Sequence, residues 1–241
     1  MNTKTIIASA TVLAVSGILA SLIVSRPWVA LRHVEPLKVT GYAELPVQSD
    51  IGIMEATITT TGASLPEAYQ NAKEQLETLK SEISRASLKD SSIQELASYV
   101  EEVVRLTPEG NRTNVIDYYA VKRTLKMEST EVQKMETLAR AIYDLSATGM
   151  RVSLSGPRYL ISDLGDSKLE LVRLATQNGR DRARVIAKNA KARIGKLVSA
   201  RQGVIQITAP NSTDSSDWGT YDTSTIEKTA KVTVHLEWEI R

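Results

Sequence analysis

From Ala230 to Ile240 the chain is apolar at every second position: Ala230, Val232, Val234, Leu236, Trp238 and Ile240 alternate with Lys231, Thr233, His235, Glu237 and Glu239. Successive side chains of a strand point to opposite faces, so this spacing predicts a strand with one dry side and one wet side. A sheet containing it needs an apolar layer over the dry face, and amphipathic helices are the usual cover. The chain has no Phe, so its core must come from Leu, Ile, Val, Ala and Met, with Tyr and Trp adding area.

Three segments have the helical period. Ser64 and Glu67 form a capping box that opens a helix with Ala68, Ala72, Leu76, Leu79 and Ile83 on one stripe. Thr130 and Gln133 suggest a second box, ahead of Val132, Met135, Leu138, Ile142 and Leu145, with Gly149 as a left-handed C-cap. A third helix runs from about residue 168 to 194 and is closed by Gly195. Residues 37–45 and 51–61 read as strands, broken by Pro46 and Ser49-Asp50. Residues 93–106 and 115–127 read as a hairpin through Pro108-Glu109-Gly110-Asn111, with Val115, Tyr119, Val121, Leu125 and Met127 on one face. A strand at 152–161 is interrupted at Gly156-Pro157, where proline marks an edge or a bulge, and another is expected at 197–207. Residues 209–224 are too polar to bury and are expected to form a mobile loop. The fold class that follows is α+β: mostly antiparallel sheet with helices packed on one face.

Residues 6–24 are uncharged and mostly aliphatic, between Lys4 and Arg26-Pro27-Trp28. At about 1.5 Å per residue such a helix crosses roughly 30 Å of hydrocarbon. The expected organisation is a membrane anchor at 1–25, a linker with Pro27 and Pro36 at 26–36, and a domain at 37–241. The expected location is the inner membrane, single-pass, with the domain in the periplasm. Secretion after cleavage at Ala14-Val15-Ser16 is the alternative. Arg26, Arg32 and Lys38 after the span give no positive-inside support for export, whereas a short tail ahead of a signal-like segment normally stays in the cytoplasm.

No reacting group stands out. Thirty basic and 28 acidic residues leave a net charge of +2, so no global field attracts nucleic acid. The basic residues from Arg180 to Lys196 surround an apolar stripe and read as a solvated face. Without Cys there is no disulfide and no thiol chemistry. His33 has no expected partner, and His235, Glu237 and Glu239 are spaced too widely along a strand for one metal ion. Asp214, Asp217 and Asp222 do not have calcium-loop spacing, and there is neither a G-x-S-x-G elbow nor a phosphate loop. No enzyme activity, cofactor or metal is expected. Two other features invite function: Trp218 and Tyr221 as a candidate ligand loop, and Ala175, Gly179, Ala183 and Ala187 as a candidate assembly face. Small residues four apart equally suit packing within the chain.

Several motifs carry a family resemblance. Val39-Thr40-Gly41-Tyr42-Ala43-Glu44, then Ser49-Asp50-Ile51-Gly52, is similar to the V-x-G-x-G and P-D-x-A opening of the SIMPL-domain family, with Ala43 and Ser49 replacing Gly and Pro. Tyr118-Tyr119-Ala120 resembles its G-Y-x-A strand, with Asp117 in place of Gly, and the 175–187 stripe resembles its Ala-rich helix. The resemblance implies an exported envelope protein without an assigned reaction, ring-like or channel-like self-assembly, and a role in envelope or oxidative stress. The expected function is thus a membrane-tethered protein that self-associates or binds an envelope partner. The alternatives are a binding module for a small ligand or envelope polymer at Trp218 and Tyr221, and a metal-dependent enzyme at His235.

Overall fold

The computed structural model describes residues 35–241, together with Ala14 and Ser16. Apart from those two positions, the expected anchor and His33 lie outside the described residues. Among the described residues no helix is long and apolar enough to cross a membrane. The elements are β1 (Leu37–Gln48), β2 (Ile51–Gly62), α1 (Leu65–Arg85), β3 (Ser91–Glu95), β4 (Tyr99–Leu106), β5 (Arg112–Ser129), α2 (Val132–Asp144), a 3-10 turn (Leu145–Thr148), β6 (Val152–Leu160), α3 (Gly165–Asn189), β7 (Ile194–Gln202), β8 (Gln206–Thr208) and β9 (Glu227–Ile240). One sheet has the order β1-β9-β7, with β8 also paired to β9; the other has the order β3-β5-β2-β6, with β4 also paired to β5. The chain forms two compact units, and β1, α3 and β9 contribute to both.

The larger unit takes in Tyr42–Thr176 and Gln202–Thr233. Its β2 buries every second residue, and the antiparallel register sets Met54 opposite Met127 and Ala56 opposite Leu125. Helices α1 and α2 lay Leu76, Leu79, Met135, Leu138 and Ile142 on that same face. Each such side chain contributes about 1.5–3 kcal/mol by leaving water. The first expected cap forms: the Glu67 N–H donates to Ser64 Oγ at 3.4 Å and Glu67 Oε2 accepts from the Ala63 N–H at 2.9 Å. The second does not form. Helix α2 starts one residue late, its N-cap is Glu131, and that carboxylate accepts from the Lys89 N–H instead, at 2.6 Å. Gly149 does end the 3-10 turn in the left-handed conformation, at φ 88°.

Several strand boundaries differ from expectation. Pro46 does not end β1, because β1 is an edge strand where a missing N–H costs little. Gly156-Pro157, a cis bond, stays inside β6, also an edge strand, opposite a register shift between Ile53 and Glu55. The expected strand at 93–106 is two strands, β3 and β4, both paired to β5. The strand at 197–207 is likewise split into β7 and β8. Val115 does not share the buried face with Val121, Leu125 and Met127; it is 55% exposed.

The smaller unit takes in residues 35–41, Gln177–Arg201 and Val234–Arg241. Gly179, Ala183 and Ala187 are buried here within the chain itself. A Cβ on Gly179 would lie 2.6 Å from Leu236 Cδ1 and 3.2 Å from Gly41 Cα, so the helix touches the strand backbone. Gly179→Val is therefore expected to cost about 3 kcal/mol, read as a lowered urea midpoint. An unchanged midpoint would show that this approach is not tight. Helix α3 ends at Asn189, not at 194. Lys191, at φ 58°, takes the left-handed position, and the Ala192 N–H reaches back to the Ala187 carbonyl at 2.8 Å. This closing pattern needs one left-handed residue, and here a lysine supplies it. Gly195 lies inside β7.

Candidate functional site

Loop 209–224 begins after β8 and ends shortly before β9. A turn brings the Gly219 N–H to the Ser216 carbonyl at 3.1 Å, and Gly219 has φ 92°. A Cβ there would come within 2.9 Å of Val204 Cγ1, so only glycine lets the turn sit this close. Trp218, at the apex, is 94% exposed. Tyr221 bridges to Ile207, and its hydroxyl accepts from the Ile161 N–H at 2.8 Å. The structure brings both sequence candidates to one cleft of about 580 Å³, walled by residues of the α3 start, the β7–β8 connection and the loop. Lys168 is the sole charged residue among the lining side chains.

Past Tyr221 the loop is tied down. Asp222 Oδ1 accepts from the Ser224 N–H at 3.0 Å and its hydroxyl at 2.7 Å; Oδ2 accepts from the Thr225 N–H at 3.2 Å and from its hydroxyl. Lys228 Nζ lies 3.2 Å from the same Oδ2, with its side chain fully buried, and also donates to the Thr225 carbonyl. Burial pushes the Asp222 carboxyl up, but the hydrogen bonds from Thr225 and Ser224, with Lys228, outweigh it and hold it well below the usual carboxylate range. Asp214 and Asp217 do not join Asp222 in a metal-holding group. Asp222 was visible in sequence only as a loop carboxylate. Lys228 carried a signal: it lies two residues before Ala230, in phase with the buried face of β9.

The family-like motifs are packing devices. Asp50 accepts from the Ser162 N–H at 2.7 Å and from the Ser162 hydroxyl, tying the start of β2 to the end of β6. Burial opposes ionisation of Asp50, and those hydrogen bonds hold its carboxyl below the usual range. Gly52 is needed because a Cβ would lie 2.7 Å from Met135 Cγ. Gly179 leaves room for the backbone of Gly41. In the smaller unit His235 projects from the wet side of β9, and its Nδ1 lies 3.1 Å from Thr40 Oγ1. Among the described residues no three His, Asp or Glu side chains gather to hold a metal.

The β4–β5 hairpin turns at residues 107–111, as its Pro108-Glu109-Gly110-Asn111 signal predicts, but it runs on beyond its helix cover. Helix cover reaches Val100 and Tyr119, which pack beside Ala68, Ala72 and Val121. Beyond them β2 stops pairing, since its last rung is Gly62 to Tyr119. The two strands run on through Val103–Tyr118 and Val104–Ile116 to a turn at Gly110, skipping Asp117 in the register. Leu106, Val115, Ile116 and Tyr118 are exposed along this arm.

No curated protein matches the sequence. Among solved structures, an amidase (hydantoinase/carbamoylase family) from Burkholderia phymatum is 11% identical with a TM-score of 0.32, over 52% of this chain and 31% of that one. A hydantoinase/carbamoylase family amidase from Burkholderia ambifaria is 15% identical with a TM-score of 0.32, over 55% of this chain and 34% of that one. A putative aminohydrolase from methicillin resistant Staphylococcus aureus is 13% identical with a TM-score of 0.26, over 61% of this chain and 41% of that one. The chain thus spans well under half of these enzymes, and likeness this weak carries no argument about activity. A family model is far more extensive: SIMPL, a protein of unknown function (DUF541), matches residues 37–238, from the first strand almost to the end of the last. The chain belongs to the SIMPL family.

Proposed function

We propose that this protein works by association, as a membrane-tethered SIMPL domain in the periplasm that pairs with copies of itself through the β4–β5 arm. The carrying observation is the arm: two strands with exposed apolar residues, extending beyond the helices and beyond β2. A two-stranded ribbon is marginally stable alone, and an open strand edge invites a further strand. Antiparallel pairing of β4 with its copy, centred between Val103 and Val104, sets Glu102 of each copy opposite Arg105 of the other. Opposite charges in that position favour the register. Tethering by residues 6–24 would raise the local concentration of arms along the membrane. The envelope stress role implied by the family resemblance goes with this reading.

The test is the mass of the full-length protein after gentle extraction, and of a fragment spanning residues 37–241, by light scattering. Replacing residues 103–118 with Asn-Gly closes the hairpin at the paired rung of Glu102 and Tyr119, with a turn suited to two-residue hairpins. The wild-type chain is expected to be a multimer and the shortened one a folded monomer. Arg105→Glu should weaken association, and adding Glu102→Arg should restore it. A monomeric wild type, or a multimer indifferent to the arm, ends this reading.

A further inference from the structure

We propose that the cleft under Trp218 binds a free single-chain organic monoanion, with an aliphatic tail against the apolar walls and a carboxylate-like head at Lys168. Leu164, Val204, Ile205, Ile207, Trp218 and Tyr221 supply those walls. The volume of about 580 Å³ falls within the roughly 300–1,000 Å³ typical of sites for one small molecule, which disfavours a two-chain lipid. Charge decides the head group. Lys168 is the only charged side chain lining the cleft, no carboxylate lines it, and Lys168 makes no ion pair among the described residues. Nearby on the same helix, Arg173 is by contrast bridged to Glu170. Gln202 and Thr220 add neutral polar groups to the lining.

The rim is held in place before any ligand arrives. Tyr221 is held through its hydroxyl by the Ile161 N–H, and Gly219 seats the turn against Val204. Rigid walls reduce the ordering cost of binding. Trp218 supplies a large apolar face left in water, which a tail lying beneath it would cover. This proposal is independent of the arm.

The experiment uses the full-length protein in its own membranes and a decanoate carrying a photoreactive diazirine on its tail. After irradiation, labelled peptides are mapped by mass spectrometry. Label is expected on residues 202–207 and 218–221, displaced by unlabelled decanoate and about three-fold less well by decanol, which lacks the charge. Lys168 is solvent-exposed, so Lys168→Gln should lower labelling about three-fold, the scale of an exposed ion pair. Trp218→Ala, at a site too exposed to disturb packing, should lower it several-fold. Equal competition by decanol, labelling unchanged in Lys168→Gln, or label confined to the apolar run at residues 6–24 would each overturn the proposal.

Discussion

Asp222→Ala is expected to cost about 3–5 kcal/mol, because it leaves the fully buried Lys228 ammonium without its counter-charge. The Thr225 carbonyl stays as an acceptor, but a dipole cannot replace a carboxylate in a dry site. The same change removes the acceptor for Ser224 and Thr225, so the connection into β9 loosens with the ion pair. Urea midpoints would measure the loss. Replacing both partners with apolar residues, Asp222→Leu with Lys228→Met, should recover most of it, since the cost comes from the orphaned charge and not from absence of the pair. A single-variant cost below about 1 kcal/mol would place this pair with ordinary surface bridges.

The pH dependence has a definite sign. Asp222 is held below its unfolded value of about 3.9, so its stabilising contribution is complete above that value and declines as pH falls toward the folded one. Asp50 contributes in the same direction. Wild-type stability should therefore drop on acidification below about pH 4, and Asp222→Ala should flatten that drop.

The second large effect is expected at Gly62. A Cβ there would lie 2.4 Å from the Ala68 nitrogen, 2.9 Å from its Cα and 3.0 Å from the Glu67 carbonyl carbon. All three atoms are backbone in the first turn of α1, so no side chain can swing aside. Gly62→Ala must push the start of α1 off the sheet, disturbing the burial of Ala68 and Ala72 behind it. The expected cost is about 3 kcal/mol or more. Gly110→Ala is the comparison: its φ is 86° but nothing lies within 4 Å, so backbone strain of about 1–2 kcal/mol is the whole effect. Equal urea midpoints for the two variants would show that α1 yields at no cost.

What could be read from residue order was local. The Ser64 cap, the α1 stripe, the α2 stripe from Val132 to Ile142 and the alternation of β9 each depend on neighbours within one or two turns, and they appear as expected, while Leu145 falls in the 3-10 turn. Thr130 had the right neighbours too. It lost its capping role because Ser129 and Lys89, brought together by β3 pairing with β5, took over that corner. Trp218 and Tyr221 were legible as loop aromatics, but the cleft they share draws on residues from 164 to 221 and is invisible in any short window.

The periods and the Ser64 cap, then, were set by sequence alone, because they follow from backbone geometry repeated along a few residues. Tertiary structure decided which faces are covered. Val115 has the same parity as Val121, yet one is in water and the other in the core, because helix cover and β2 both end near Tyr119. Lys228 has the parity of Ala230 and is buried, because Asp222 folds back to neutralise it. Burial depends on what lies opposite, and that is supplied by chain far away in sequence.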